Sequence, residues 1–192
     1  MLFRSECPIV LSRCGYTGED GYEIMCDADS ASYVWEVLTR AGAKPCGLGA
    51  RDTLRTEMGF PLYGHELTED IVPLEAGIGW TIDWEKPVDF VGKKALLSAR
   101  QERMHRQLRG VRMIDRGIPR QGYAVENESG QPIGTLSSGT QSPTLNKGIG
   151  LAFLRRECAR TGDTVYLTVR GRKLAAEIVR LPFVRSNVKR ES

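Results

Sequence analysis

Two arginines, Arg51 and Arg55, lie four residues apart in a segment whose apolar residues are spaced for a helix. At about 100° per residue, both fall on the same side of the predicted helix 47–59 as its apolar side chains. A guanidinium on an apolar face is costly unless it meets a carboxylate, carbonyl oxygens or a polar ligand. An internal ion pair, to Glu23 or Asp52, is the simpler interpretation, and a ligand contact is the alternative.

The cysteines and histidines do not predict a metal site. The five cysteines have no C-x-x-C pair and no histidine at ligand spacing, so we expect free thiols that pack as small hydrophobic side chains, and no metal cofactor. His65 could either brace a loop or move protons, whereas His105 is simplest as a surface residue. The cysteines are Cys7, Cys14, Cys26, Cys46 and Cys158.

The elements that must position these residues are predicted by hydrophobic spacing and turn residues. Residues 8–26 predict a strand, a glycine-rich turn and a second strand. Apolar residues at helical spacing then predict a helix capped by Asp29 or Ser30, with Gly42 just past its end. Three further elements are expected: the helix at 47–59, a β-prone run at 78–82 and a polar-faced helix at 91–104.

After about residue 105 the pattern changes to short strands separated by turns, which is typical of a small β-barrel or sandwich. The polar tail 185–192 is expected to be disordered. Six strands are predicted, at 108–114, 122–126, 133–138, 147–154, 164–169 and 173–179.

Composition and charge narrow the class of protein. With 192 residues, 41% hydrophobic and 27% charged, the chain has the composition of a globular protein of one or two domains. It contains no apolar stretch long enough to span a membrane, and its first ten residues do not resemble a secretory signal, so an intracellular protein is expected.

The two halves of the chain differ in charge. Residues 1–99 carry nine Lys and Arg against sixteen Asp and Glu, whereas residues 100–192 carry eighteen against eight. A basic half suits an acidic protein, a polyanionic ligand or nucleic acid, and it suits equally well a solvated surface balanced by the acidic half.

Several segments, in order along nearly the whole chain, resemble the aminomethyltransferase family of the glycine cleavage system, the T-proteins. These segments are SRCGYTGEDGYEI at 12–24, GLGARDTLRTEMG at 47–59, PLYGHEL at 61–67, FVGKKAL at 90–96, GTLSSGTQSPTL at 134–145 and IGLA at 149–152.

The resemblance implies an α+β fold that corresponds to the later portion of a three-domain protein. Residues 1–46 would be the end of a ferredoxin-like second domain, 47–102 part of a folate-binding α/β first domain, and 103–192 a carboxy-terminal antiparallel β-barrel. Such a protein transfers the one-carbon unit of a lipoyl-bound aminomethyl group to tetrahydrofolate and releases ammonia. The expected partners are tetrahydrofolate and a lipoyl-bearing H-protein, with no nucleic acid and no membrane, in the bacterial cytoplasm or the mitochondrial matrix.

The resemblance also assigns folate-binding roles to five residues. Glu23 matches a glutamate that accepts hydrogen bonds from the pterin edge, a task that suits a carboxylate. Tyr16 matches a tyrosine that lines the same pocket, and Arg51 matches the arginine associated with it, which implies that its guanidinium points inward. Arg55 lies one turn away, and Tyr63 is given a place in the folate cleft.

No residue of this chain matches the family's catalytic aspartate, which belongs to an earlier segment. The chain is therefore expected to be truncated, to bind folate weakly and to turn over negligibly on its own. Two alternatives stay open. One is the folate domain of a sarcosine- or dimethylglycine-oxidising type of enzyme, and the other is a non-enzymatic basic module that binds an acidic protein or RNA.

Overall fold

A computed structural model describes residues 7–102, 105–169 and 171–189. The first half contains a two-stranded antiparallel hairpin and three helices, and the second half is a closed barrel. The hairpin pairs β1 with β2 in a register that places Ile9 opposite Cys26 and Ser12 opposite Glu23. The elements of this half are β1 (Ile9–Ser12), β2 (Glu23–Cys26), α1 (Ala28–Arg40), α2 (Leu48–Glu57) and α3 (Lys93–Gln101).

The barrel contains six antiparallel strands in the order β3-β6-β5-β4-β7-β8. It closes because β3 forms hydrogen bonds to β6 on one side and to β8 on the other, which leaves no free strand edge in the ring. The α+β class and the antiparallel barrel are thus confirmed, and the alternative of a sandwich is wrong. The strands are β3 (Arg106–Met113), β4 (Ala124–Glu126), β5 (Pro132–Ser142), β6 (Lys147–Arg155), β7 (Thr164–Val169) and β8 (Arg172–Val179).

Apolar side chains from every strand fill the barrel interior. Val111, Leu154, Leu167 and Ile178 have no exposed surface. Strand β6 is buried along seven consecutive residues, because its outer face is covered by a second cluster that includes Phe183 of the carboxy-terminal segment. A strand that is buried on both faces has a continuous run of apolar residues in its sequence, rather than apolar residues that alternate with polar ones.

One glycine of the barrel is required by the close approach of two strands. A Cβ atom built on Gly134 of β5 would lie 2.2 Å from the carbonyl oxygen of Phe153 on β6. Any larger residue would push these two backbones apart, so this position needs glycine for the strands to pair.

Three local predictions need correction. Helix α1 begins at Ala28 with Asp27 as its N-cap residue, rather than being capped by Asp29 or Ser30. The β-prone run 78–82 forms a 3-10 turn at Gly79–Thr81, not a strand, and no strand of the described part of the chain pairs with it. Helix α3 begins later than expected, after Gly92, which has the left-handed backbone conformation (φ 90°) that favours glycine.

The carboxy-terminal segment is held against the glycine-rich turn, so the expectation of disorder is wrong for its described residues. The backbone N–H of Asn187 donates to the carbonyl of Gly18 at 2.9 Å, and its side-chain amide donates to Glu19 at 2.7 Å. The N–H of Lys189 donates to Asp20 at 3.1 Å. Residues 190–192 lie outside the described range.

The structure shows the state of the cysteines and the length of the helices. None of the five cysteines forms a disulfide within the described residues, as predicted. None of them is fully buried, and Cys14 and Cys46 are exposed, so the expectation of hydrophobic packing is wrong for these two. Cys158 does pack against the barrel core as a partly buried side chain. No helix in the described ranges has the length and apolarity needed to cross a bilayer.

Candidate functional site

Arg55 is the centre of a buried polar network between α2 and the barrel. Its side chain is only 1% exposed. Nε donates to Asp52 at 2.8 Å, Nη1 donates to Glu66 at 3.1 Å, and Nη2 donates to Ser138 of β5 at 2.8 Å. Nη1 also reaches the carbonyl oxygen of Phe60 at 3.3 Å, and Nη2 lies 2.7 Å from Asp52. Four of these contacts are hydrogen bonds, and each of the three guanidinium nitrogens donates at least one.

Glu66 is the buried counter-charge of Arg55 and was not assigned a role from the sequence. Its carboxylate has no exposed surface and accepts hydrogen bonds from Arg55, from the Ser138 hydroxyl at 2.6 Å and from the backbone N–H of Leu62 at 3.0 Å. A buried ion pair is tolerated when further hydrogen bonds satisfy its remaining polar atoms. The only sequence signal was the place of Glu66 in the PLYGHEL segment.

A second buried carboxylate fixes the end of α2. Glu57 accepts hydrogen bonds from the hydroxyls of Ser142, the last residue of β5, and of Thr144 in the β5–β6 connection. Its carbonyl oxygen accepts the N–H of Phe183 at 2.8 Å. One turn before Glu57, the hydroxyl of Thr53 lies 3.0 Å from that of Thr140. The last two turns of α2 therefore have a fixed position on the barrel.

Tyr16 and Arg51 come together at the other end of α2. The guanidinium carbon of Arg51 lies 4.6 Å from the centroid of the Tyr16 ring, which is a cation–π distance. The Tyr16 ring lies 5.5 Å from that of Phe60, and its hydroxyl donates to the carbonyl of Pro61. Burial raises the pKa of Tyr16, although the positive charges of Arg55 and Arg51 oppose this.

Glu23 stands at the start of β2 with its carboxylate exposed. The thiol of Cys14, across the turn, donates to its Oε2 at 3.0 Å. This hydrogen bond, together with desolvation and the negative charge of Glu23, raises the pKa of Cys14. Oε1 of Glu23 has no partner among the described residues, so the carboxylate can accept further hydrogen bonds.

The guanidinium of Arg51, expected to point inward, is not enclosed by the described residues, and neither is the carboxylate of Glu23. Both side chains are exposed, and no hydrogen bond or ion pair joins them within residues 7–102. The physical reason is that no described element packs over the hairpin and the first turn of α2. The ion pair that the sequence left open for the arginines forms at Arg55, with Asp52 and Glu66 rather than with Glu23.

Tyr63 and His65 lie in the turn after α2. Tyr63 is 74% exposed and forms an isolated bridge with Leu67. The Nδ1 atom of His65 lies 2.9 Å from the carbonyl oxygen of Ser137 and 3.2 Å from the Ser138 hydroxyl. Of the two roles left open for His65, the geometry matches the bracing of a loop.

A cavity of about 510 Å³ lies beside this site, between the glycine-rich turn and the carboxy-terminal segment. Cys14, Phe60 and Lys189 are among the residues that line it, and none of the five predicted folate-binding residues is. Its volume falls within the range of small-molecule sites. Among the described residues, no cluster of His, Cys, Asp and Glu has the form of a metal site.

Comparison with known proteins gives the class that this fold represents. Residues 3–86 match the GCVT N-terminal domain, and residues 106–185 match the glycine cleavage T-protein C-terminal barrel domain. The helix-and-hairpin half and the closed barrel thus correspond to two successive domain types of one class of protein.

Curated relatives and a solved structure agree with this class. The chain is 49% identical over 180 residues to the aminomethyltransferase of Geobacillus kaustophilus and 47% identical over 178 residues to that of Bacillus subtilis. These alignments cover 92% and 91% of this chain and 49% of each relative, so the chain spans about half the length of the curated relatives it matches.

A crystal structure of the glycine cleavage system aminomethyltransferase T from Bartonella henselae has the same fold. It superposes with a TM-score of 0.87 at 32% identity, covering 92% of this chain and 50% of that one. The chain belongs to the glycine cleavage T-protein family.

Proposed function

We propose that this chain supplies the folate-facing half of an aminomethyltransferase that transfers the one-carbon unit of a lipoyl-bound aminomethyl group to tetrahydrofolate with release of ammonia. The observation that supports this most is the agreement of two separate family matches, which lie in order along the chain, with relatives that all carry the name aminomethyltransferase.

In this proposal Glu23, Tyr16 and Arg51 contact the folate directly. The free acceptor oxygen of Glu23 receives N–H groups of the pterin edge. The Tyr16 ring, already covered on one side by Arg51 at 4.6 Å, offers an aromatic surface for a flat ligand. Tyr63, exposed in the turn after α2, lines the cleft.

Arg55 acts in the same site through position rather than contact. Each of its three guanidinium nitrogens already donates to Asp52, Glu66, Ser138 or Phe60, and the side chain is only 1% exposed, so it is closed to a ligand. By anchoring α2 to the barrel, it fixes the helix that carries Arg51 one turn earlier. This interpretation moves Arg55 from the predicted contact residues to the positioning residues.

Two binding partners belong to this proposal, a substrate and a carrier protein. Tetrahydrofolate is the acceptor substrate, and the lipoyl group arrives on a separate acidic carrier, the H-protein, which the basic second half is suited to meet. No residue of this chain is proposed as the catalytic acid or base. The chain alone is therefore expected to show negligible turnover in a glycine-cleavage assay, and a rate comparable to that of a full-length relative would contradict this.

Replacement of Glu23 tests the proposed site. A chimera joins this chain to the half of the Geobacillus kaustophilus relative that it does not cover, and tetrahydrofolate affinity is measured by calorimetry. Glu23→Gln exchanges an acceptor oxygen for a donor group and is expected to weaken binding by about 1–3 kcal/mol.

Glu36→Gln is the matched control, because Glu36 is an exposed glutamate of α1 whose ion-pair partner among the described residues is Arg40. It is expected to leave folate affinity unchanged. Equal affinities of the Glu23→Gln and Glu36→Gln chimeras would remove Glu23 from the site.

A further inference from the structure

Three arginines gather at one end of the barrel, where β3 begins and where β6 and β8 end. Arg109 is the fourth residue of β3. Because Gly110 pairs with Val179, the next residue of the chain after β8, Arg180, comes beside Arg109. Arg156 follows the last residue of β6, and its N–H donates to the carbonyl of His105 at 2.9 Å. We call Arg109, Arg156 and Arg180 the arginine cluster.

The side chain of Arg109 is held in place by neutral acceptors. Nε donates to the carbonyl of Ala159 at 3.1 Å, Nη1 to that of Leu108 at 3.1 Å, and Nη2 to the amide oxygen of Gln107 at 2.7 Å. Burial, followed by the positive charges of Arg156 and Arg180, lowers the pKa of Arg109. The positive charges of Arg156 and Arg180 therefore each repel that of Arg109, a cost that a bound anion would relieve.

No carboxylate of the described residues forms an ion pair with the cluster. The nearby Glu157 is exposed and lies 3.9 Å from Arg155 instead. The side chains of Arg156 and Arg180 are exposed and have no hydrogen-bond partner within residues 7–102, 105–169 and 171–189. Two guanidinium N–H groups of Arg109, and all the guanidinium N–H groups of Arg156 and Arg180, thus remain available to hydrogen-bond a ligand.

Two other arginines of β3 form ion pairs with carboxylates. Arg106 of β3 binds the carboxylate of Glu75 through two N–H groups at 3.0 and 3.2 Å. Arg112, on the same strand, donates to Glu177 at 2.7 Å. The barrel therefore neutralises its other β3 arginines with carboxylates and leaves the arginine cluster without one.

We propose that the arginine cluster is a docking site for the carboxylates of an acidic protein segment. Guanidinium and carboxylate form paired, charge-assisted hydrogen bonds, and several such pairs give orientation as well as attraction. An acidic peptide fits better than single-stranded RNA, because RNA binding of this kind uses exposed aromatic rings and no aromatic side chain of the described barrel is among the exposed large hydrophobic residues. The inference does not depend on the proposed folate site.

A fluorescein-labelled hexaglutamate peptide serves as the probe, with binding to the intact chain followed by anisotropy. Arg180→Gln and Arg156→Gln are each expected to weaken binding about threefold to tenfold. Raising the ionic strength should weaken binding to the unchanged protein, because exposed charges are screened. Circular dichroism checks that each variant keeps its fold.

Arg172→Gln is the matched control, because Arg172 is an exposed arginine without a described partner at the opposite end of β8. It is expected to bind the peptide as the unchanged protein does. The proposal is overturned if the peptide does not bind, or if all three variants lose affinity equally. It is also overturned if hexauridylate binds more tightly than the peptide and loses affinity in the same two cluster variants.

Discussion

The barrel and the open segment, which we define as residues 9–50, carry equally regular sequence patterns but differ in burial. Every strand of the barrel contributes side chains with little or no exposed surface. In the open segment only Gly18 is buried, although α1 has apolar residues at helical spacing and β1 and β2 contain β-prone apolar residues. Sequence period thus determines which element forms, whereas burial requires a second surface that faces it.

Helix α2 shows this difference within ten residues. Leu48, in its first turn, is 83% exposed, whereas Arg55, Thr56 and Glu57 in its last turn are buried. The same helix therefore passes from the open segment to the barrel surface. A charged residue is buried here and an apolar one is exposed, because position relative to the barrel decides burial.

The difference in burial between the barrel and the open segment is tested most sharply by making the same substitution, Leu→Ala, in each. Leu154→Ala removes a side chain with no exposed surface from the barrel interior and should cost about 3–5 kcal/mol of the free energy of unfolding, since it leaves a cavity. Leu48→Ala makes the same change at an exposed position and should alter stability by less than about 0.5 kcal/mol. Urea denaturation followed by circular dichroism measures both. Similar costs would show that the open segment is covered in solution.

The buried and exposed ion pairs give a second, smaller contrast. Glu66→Gln removes the buried counter-charge of Arg55 and should cost about 3 kcal/mol, near the lower end for a broken buried pair because Asp52 still contacts the guanidinium.

The exposed ion pair for this contrast is Glu36 with Arg40 on α1. Glu36→Gln is expected to cost less than about 0.5 kcal/mol in the same urea titration. A cost for Glu66→Gln as small as this would mean that the network between α2 and the barrel does not hold the two together.

After Leu154→Ala and Glu66→Gln, Tyr16→Phe should have the smallest effect on the free energy of unfolding. It removes a single hydrogen bond between the open segment and the turn after α2. Losing its hydrogen bond to the Pro61 carbonyl should cost about 1 kcal/mol at neutral pH. Because burial raises the pKa of Tyr16, the unfolded chain ionises first, and stability falls as pH rises above about 10. The Phe variant lacks this contribution and should lose less stability between neutral and alkaline pH.

The exposed Tyr22 provides the control for the alkaline measurement. Tyr22→Phe should leave both the neutral-pH stability and its alkaline decline unchanged, to within about 0.5 kcal/mol, in thermal unfolding at several pH values. An alkaline decline that persists unchanged in Tyr16→Phe would assign it to another group.

Much of the fold was accessible from the sequence because its signals are local. All six barrel strands were predicted to within a few residues, and so was helix α2. The run 78–82 failed as a strand, because β-prone residues form a strand only when a partner strand is present. The domain boundaries at 46 and 102 and the direct folate contacts remain predictions.

Sequence alone determined the strands, the helices and the family, since these depend on spacing, turn residues and segment order within short stretches of chain. It did not separate Arg51 from Arg55, which share one helical face. The tertiary structure separates them, because Ser138 of β5 and Glu66 of the turn after α2 surround Arg55, whereas the guanidinium of Arg51 lies over the ring of Tyr16. Whether a charge is buried depends on which groups can compensate its desolvation, and those groups meet when α2 and the turn after it pack against the barrel.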